Sequence, residues 1–142
     1  MRMNEAAGLM FAFFAGTAAA GDHTPKVERG FDGLTEFAFE AQNGGEAPIT
    51  CAAAIAHWYS LELGRASLGQ AVHHTLWFDP SRGVVFLIDK DEVRLPVETL
   101  WCGFEGRSWE TRHVASLPSH AGEIAQAISL TCVDKDNRLV CD

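Results

Sequence analysis

Residues 50–64, TCAAAIAHWYSLELG, decide the predicted fold class, because they carry the clearest helix pattern in the chain. Thr50 is suited to the N-cap position, and Gly64 ends the pattern. Between them, residues 51–63 place apolar side chains on one broad stripe, formed by Ala54, Ile55, Trp58, Tyr59 and Leu61. The stretch therefore predicts one helix whose apolar face packs against a sheet.

Strand patterns lie on both sides of this segment. Residues 34–41 alternate, with phenylalanines on one face and glutamates on the other. Further strand-like segments, separated by short turn-like stretches, are residues 73–78, 84–88, 93–97, 100–104 and 109–115. Short connections join antiparallel neighbours, since a parallel return needs a crossover of about a dozen residues. The predicted class is α+β: one helix on a mainly antiparallel sheet of five or six strands.

The N-terminal segment predicts export. Residues 1–20 combine the basic Arg2, a short apolar run and small residues before a cleavage point at Gly21. The run is shorter than the roughly 20 apolar residues that span a bilayer, so no transmembrane span is expected after removal. Residues 21–33 are polar and predict a flexible mature terminus, and residues 34–142 predict a single domain. The predicted location is the periplasm or the exterior.

The formal charge of the chain is −8, which disfavours a nucleic-acid partner because phosphate binding needs a basic surface. The sequence also lacks a cluster of lysines and arginines that would bind anionic lipids. The composition thus favours neither a nucleic acid nor an anionic membrane as the partner.

Four cysteines in an exported chain predict two disulfides, for which three pairings exist. Residues 130–142, LTCVDKDNRLVCD, place Cys132 and Cys141 on either side of a polar turn, as in a hairpin with facing cysteines. Cys51 and Cys102 then pair by elimination. The chain has no CxxC sequence, so neither a thioredoxin-like motif nor a paired-cysteine zinc site is indicated.

Residues 51–60, CAAAIAHWYS, resemble the start of papain-like cysteine peptidases, particularly the bacteriocin-leader peptidases. In that family the catalytic cysteine opens a helix, where amide dipoles lower the thiol pKa and favour the thiolate. The resemblance implies that Cys51 is a nucleophile, with His113 or His120 as its base. A cysteine hydrolase is therefore the alternative function.

No metal and no cofactor are predicted. His73 and His74 are adjacent on a predicted strand, so their side chains point to opposite faces and cannot easily share an ion. The acidic residues at 89–92 and 134–137 lack the spacing of calcium loops. Glycine-rich phosphate motifs are absent from the sequence as well.

Residues 95–112, LPVETLWCGFEGRSWETR, concentrate aromatic and arginine side chains, which carry much of the energy of protein interfaces. Trp101 is expected in the core beside a disulfide. The predicted partner-binding residues are Phe104, Arg107, Trp109 and Arg112. The predicted function is a non-catalytic binding or accessory protein of the bacterial envelope: an inhibitor, an immunity protein or a complex subunit. Its partner is expected to be another envelope protein.

Overall fold

The computed structural model describes residues 16, 21, 26–56 and 58–142, and every helix or strand element in this part of the chain is a strand. The predicted export signal, residues 1–20, lies outside the described residues apart from Gly16. In chain order the strands are β1 (Thr35–Asn43), β2 (Ile49–Ile55), β3 (Tyr59–Ala66), β4 (Ala71–Asp79), β5 (Val84–Ile88), β6 (Arg94–Phe104), β7 (His113–Val114), β8 (Ile128–Lys135) and β9 (Arg138–Cys141). The predicted α+β class is therefore wrong.

The strands form one mixed sheet that folds around a single core. Their order is β3-β2-β6-β5-β4-β1-β8-β9, with β7 also paired to β6. The start of β6 pairs with β5 and its later part with β2, so β6 connects the two halves of the sheet. Buried side chains from both ends of the order, including Ala66 in β3 and Leu139 in β9, belong to the same core. Strands β1 and β8 are parallel, whereas the other named pairs are antiparallel.

The predicted helix at residues 51–63 is two antiparallel strands, β2 and β3. Alanine propensity favoured a helix, but propensity is a weak prior that tertiary pairing overrides. Strand β2 lies between β3 and β6; its inner face is fully buried and its outer face is largely covered by its neighbours, with Ala53 fully buried and Ala52 9% exposed. Small side chains suit such a central strand, and a run of them conceals the period-two pattern that distinguishes strand from helix.

Both predicted disulfides are present, and each joins directly opposite residues of an antiparallel pair. Cys51 in β2 is bonded to Cys102 in β6, and Cys132 in β8 to Cys141 in β9. The described residues contain no free cysteine. Three of the four residues are at most 1% exposed and Cys141 is 6% exposed, so both disulfides belong to the core.

The predicted hairpin at residues 132–141 is confirmed. Lys135 faces Arg138 across a two-residue loop in which Asp136 and Asn137 have φ values of 54° and 61°. Two successive left-handed residues define a type I′ turn, whose twist matches that of the flanking strands. Aspartate and asparagine tolerate this left-handed conformation, which explains the polar residues of the turn.

The other strand predictions were correct in part. Phe37, Phe39 and Ala41 of β1 face the core as the alternation predicted. The segments predicted at 93–97 and 100–104 are one continuous strand, β6. The segment predicted at 109–115 contributes only the short β7, because residues 105–112 form a loop that packs on β6. Within residues 121–130, for which the sequence left the type open, β8 begins at Ile128.

The described part of the mature terminus is bonded to the sheet. Arg29 forms an isolated antiparallel β-bridge with Val93, and the Arg94 amide donates to the carbonyl of Glu28 at 2.9 Å. The Arg94 guanidinium also donates to the carbonyls of Gly30 and Asp32. Among the described residues no helix has the length and apolar character needed to cross a membrane.

Candidate binding surface

The structure places three of the four predicted partner-binding residues on the surface of the loop at 105–112. Trp109 is 50% exposed, and the guanidinium carbon of Arg112 lies 3.7 Å from the centroid of its ring. Arg112 also donates through Nη1 to the Trp109 carbonyl oxygen at 2.6 Å. Stacking of this kind contributes about 0.5–1 kcal/mol at exposed sites and more when water is excluded. The pair thus presents a flat cationic and aromatic face.

Trp101 supports this pair from below. Its ring meets that of Trp109 edge-on, with 5.0 Å between centroids. Trp101 is only 5% exposed, so it is buried as predicted, but it lies under Trp109 on the outer face of β6 and outside the main core cluster. Its indole Nε1 donates to Ser108 Oγ at 3.4 Å. We call Trp101, Arg107, Trp109 and Arg112 the tryptophan–arginine surface.

Phe104 was predicted to contact the partner, but the structure buries its side chain. It is 5% exposed and belongs to the core, so it does not itself offer a contact surface. The guanidinium carbon of Arg107 lies 5.6 Å from its ring centroid. Phe104 therefore supports Arg107 from beneath, and Arg107 is exposed on the same loop as Trp109.

The loop that carries Trp109 is fixed by buried contacts. Thr111 is 3% exposed; its Oγ1 donates to the Arg107 carbonyl at 2.8 Å and accepts from the Phe104 amide at 2.9 Å. A Cβ at Gly103 would lie 2.6 Å from Ser108 Cα, so only glycine lets the loop approach β6 this closely. The surface is therefore presented by a backbone that is already ordered, which lowers the entropy cost of binding.

The outer face of β2, β3 and β6 continues from this surface. Ala52 is the direct partner of both Trp101 and Glu62, and two residues along β2 Ala54 is the partner of Ser60 and Thr99. Direct partners share a face, so a strip of short side chains extends from Trp101 toward the β2–β3 connection. Glu62 is exposed and gives the strip an acidic margin.

Trp58 lies at the β2–β3 connection, and the sequence did not identify it as a surface residue. It is fully exposed and has a φ of 86°, a conformation that bulky residues rarely adopt. The helix prediction placed this side chain on an apolar stripe facing the core. The connection contains none of the usual glycine, asparagine or proline turn signals, so no local pattern marked it as a hairpin tip.

A concavity of about 430 Å³ lies beside the end of β2 that leads into the β2–β3 connection. Its walls are mainly apolar, with Val27, Ile55 and Phe86 among the lining residues. A network of charges closes one side: Arg82 donates to Glu28 through both Nη atoms and to Asp79 through Nε at 2.6 Å. This network is internally paired, which leaves the groove without an unpaired buried charge to specify a ligand.

The residues of the alternative hydrolase do not form a nucleophilic site here. Cys51 lies in a strand and its sulfur is bonded to Cys102, so the helix terminus that would activate a thiol is absent. His113 accepts from the Cys141 amide through Nδ1 at 3.3 Å. His120 contacts Glu123 at 2.9 Å, and this hydrogen bond holds the pKa of Glu123 below its usual value.

His73 and His74 occupy the positions that strand alternation predicted. His73 contacts Glu40 at 3.2 Å, whereas His74 is the cross-strand partner of Phe39, whose side chain faces the core. The two rings therefore belong to opposite faces of β4. The described residues contain no group of three or more histidine, cysteine or acidic side chains arranged for a metal ion.

Comparison with protein-family models and with curated proteins gives no match for this chain. Its functional assignment therefore depends on the chemistry of its own surface.

Proposed function

We propose that the protein is an exported, disulfide-stabilised, non-catalytic binding protein of the bacterial envelope, acting as an inhibitor, an immunity protein or a complex subunit. The observation that carries this proposal is the stack of Arg112 on the half-exposed Trp109. Tryptophan and arginine are the side chains most enriched at the energetic centres of protein interfaces. Here both are held in place before any partner arrives.

Export is part of the proposal. The N-terminal sequence has the basic start, apolar run and small residues of a removable signal. Two buried disulfides are compatible with an oxidising compartment, because reducing systems in the bacterial cytosol keep such cysteines as thiols. An envelope partner would occupy the same compartment.

The net negative charge of the whole chain favours a partner with a net positive charge, although the centre of the tryptophan–arginine surface is itself cationic. The formal charge is −8, and acidic side chains such as Glu62, Glu98 and Glu110 lie exposed around the tryptophan–arginine surface and the adjoining strip. Long-range attraction would accelerate association with a positively charged protein. Because added salt screens this attraction, we expect the association rate to fall as ionic strength rises.

Capture from an envelope extract tests the proposal. Immobilised wild-type protein should retain a specific protein, and Trp109→Ala should lose it while keeping the same unfolding midpoint and circular dichroism. Trp58→Ala is the matched control, since it removes another exposed indole outside the tryptophan–arginine surface.

The retained protein, once purified, should bind the wild type in titration calorimetry at least tenfold more tightly than Trp109→Ala, because central interface tryptophans contribute about 2 kcal/mol or more. Equal affinity of the two proteins would overturn the assignment of this surface.

A further inference from the structure

Strand β3 is the terminal strand of the sheet, and one of its edges is open. Its ladder partner is β2, and no described backbone group outside β2 bonds to residues 59–63. Edge strands present rows of unpaired amides and carbonyls that can accept another strand. The β3 edge has neither a proline nor a lysine to block such pairing, although a bulge at Leu63 limits its regular length.

The geometry of β2 identifies which groups face outward. Cys51 and Cys102 have Cα atoms 4.0 Å apart, the close spacing of a non-hydrogen-bonded pair, so the polar backbone groups of Cys51 point toward β3. Ala56 is an odd number of residues from Cys51, so its amide should point the other way, toward β6. This amide donates to the Pro96 carbonyl in β6, as expected.

By this alternation the backbone amides and carbonyls of Ala53 and Ile55 also point toward β3, where their partners are Leu61 and Tyr59. The intervening residues, Ser60 and Glu62, therefore direct their amides and carbonyls to the open edge.

We propose that a second copy of this chain pairs with this edge, as an antiparallel β3–β3 ladder centred on Leu61. In this register Ser60 exchanges backbone hydrogen bonds with Glu62 of the second copy, and the reverse pair forms by symmetry. Leu61 meets its own counterpart, and Tyr59 meets Leu63. No charged side chain faces a like charge directly across the ladder.

The exposed side chains of this region support the same occupant. Leu61 and Leu63 are only partly buried against the core, and Tyr59 is 45% exposed, so pairing would complete a continuous apolar stripe across the ladder. Trp58 precedes β3 and would lie at the end of the ladder.

The dimer should be weak and should respond to salt in the direction opposite to the partner complex. Its interface comprises about five residue pairs, below the size of stable interfaces. Each copy has a formal charge of −8, so the two repel at long range. Salt screens this repulsion, and the dimer fraction should therefore rise with ionic strength.

Sedimentation equilibrium across a concentration series tests the proposal. We expect a reversible monomer–dimer equilibrium, and Ser60→Pro should shift it at least tenfold toward monomer because the outward amide is lost. Ser116→Pro, at an exposed position outside any strand, is the matched control and should leave the equilibrium unchanged. A wild type that remains monomeric at every concentration and salt level, or a folded Ser60→Pro that dimerises normally, would overturn the proposal.

Amide hydrogen exchange provides a test that needs no variant. As concentration rises, exchange at Ser60 and Glu62 should slow, while exchange at exposed turn amides such as Lys90 stays constant. Unchanged exchange at Ser60 and Glu62 would contradict the ladder even if Ser60→Pro fails to fold. The dimer is separable from the proposed partner binding, because Trp109→Ala should still dimerise and Ser60→Pro should still bind the partner.

Discussion

Asp79, the last residue of β4, holds the turn between β4 and β5. Its Oδ1 accepts from the Ser81 hydroxyl at 2.6 Å and from the Ser81 amide at 2.9 Å, and its Oδ2 accepts from Arg82. These contacts, the Ser81 hydroxyl foremost, lower the pKa of Asp79 from 3.8 to about 2, although burial acts in the opposite direction. The side chain is only 10% exposed, so solvent screens the effect little.

The depressed pKa of Asp79 predicts a specific acid sensitivity. Because the folded pKa lies below the unfolded one, the contribution of about 2 kcal/mol is complete above pH 4 and is lost as pH falls toward about 2. Asp79→Asn should lower the unfolding free energy by a similar amount at neutral pH and reduce its decline between about pH 4 and pH 2. Urea unfolding across pH measures this, with the exposed Asp32→Asn as control. An unchanged acid profile would argue against these hydrogen bonds.

At the scale of elements, the β8–β9 hairpin depends on its two left-handed turn residues. Asn137 has a φ of 61°, which glycine adopts freely and a β-branched residue adopts only with strain. Asn137→Val should therefore lower the unfolding free energy by about 1–2 kcal/mol, whereas Asn137→Gly should leave it equal or slightly higher. Thermal unfolding compares the two, and equal melting temperatures would contradict a type I′ turn.

Elements with strong local patterns were predictable, and those set by distant pairing were not. The alternation in β1 and the polar turn at residues 134–137 gave correct elements, because each pattern follows from local burial or backbone geometry. The prediction for the segment 51–63 failed because alanines on both faces of β2 hide the period of a strand. The parallel pairing of β1 with β8 joins strands far apart in the chain, which no local pattern records.

The candidate surface could also be predicted only in part from the sequence. Clustered tryptophans and arginines at residues 95–112 indicated a contact surface, and the structure brings Trp109 and Arg112 together. The sequence could not separate the exposed Trp109 from the buried Phe104, because the loop at 105–112 has no periodicity. Trp58 was missed as an exposed residue because its segment was predicted to be a helix with this side chain facing the core.

For the whole molecule, the two disulfides should contribute unequally to stability. They join cysteines separated by 51 and 9 residues, for which the chain-entropy model gives about 4 and about 2.5 kcal/mol. Both pairs are buried, so the cavities left by alanine are comparable. Cys51→Ala/Cys102→Ala should therefore cost more than Cys132→Ala/Cys141→Ala in urea unfolding. The reverse order would mean that loop closure in the unfolded chain does not govern their effect.

The state of Cys51 connects the fold, the compartment and the function. As half of a buried disulfide it joins β2 to β6 beneath the outer face that carries Trp101, as the proposed binding function requires. As a free thiol it would be a nucleophile in a reducing compartment. These alternatives differ in covalent structure.

Mass-spectrometric mapping of the unreduced protein, isolated from the envelope fraction and alkylated in denaturant, is the most direct test. The structure predicts linked peptides for Cys51–Cys102 and Cys132–Cys141 and no alkylated cysteine. A Cys51 found unbridged and rapidly alkylated at neutral pH would contradict the account.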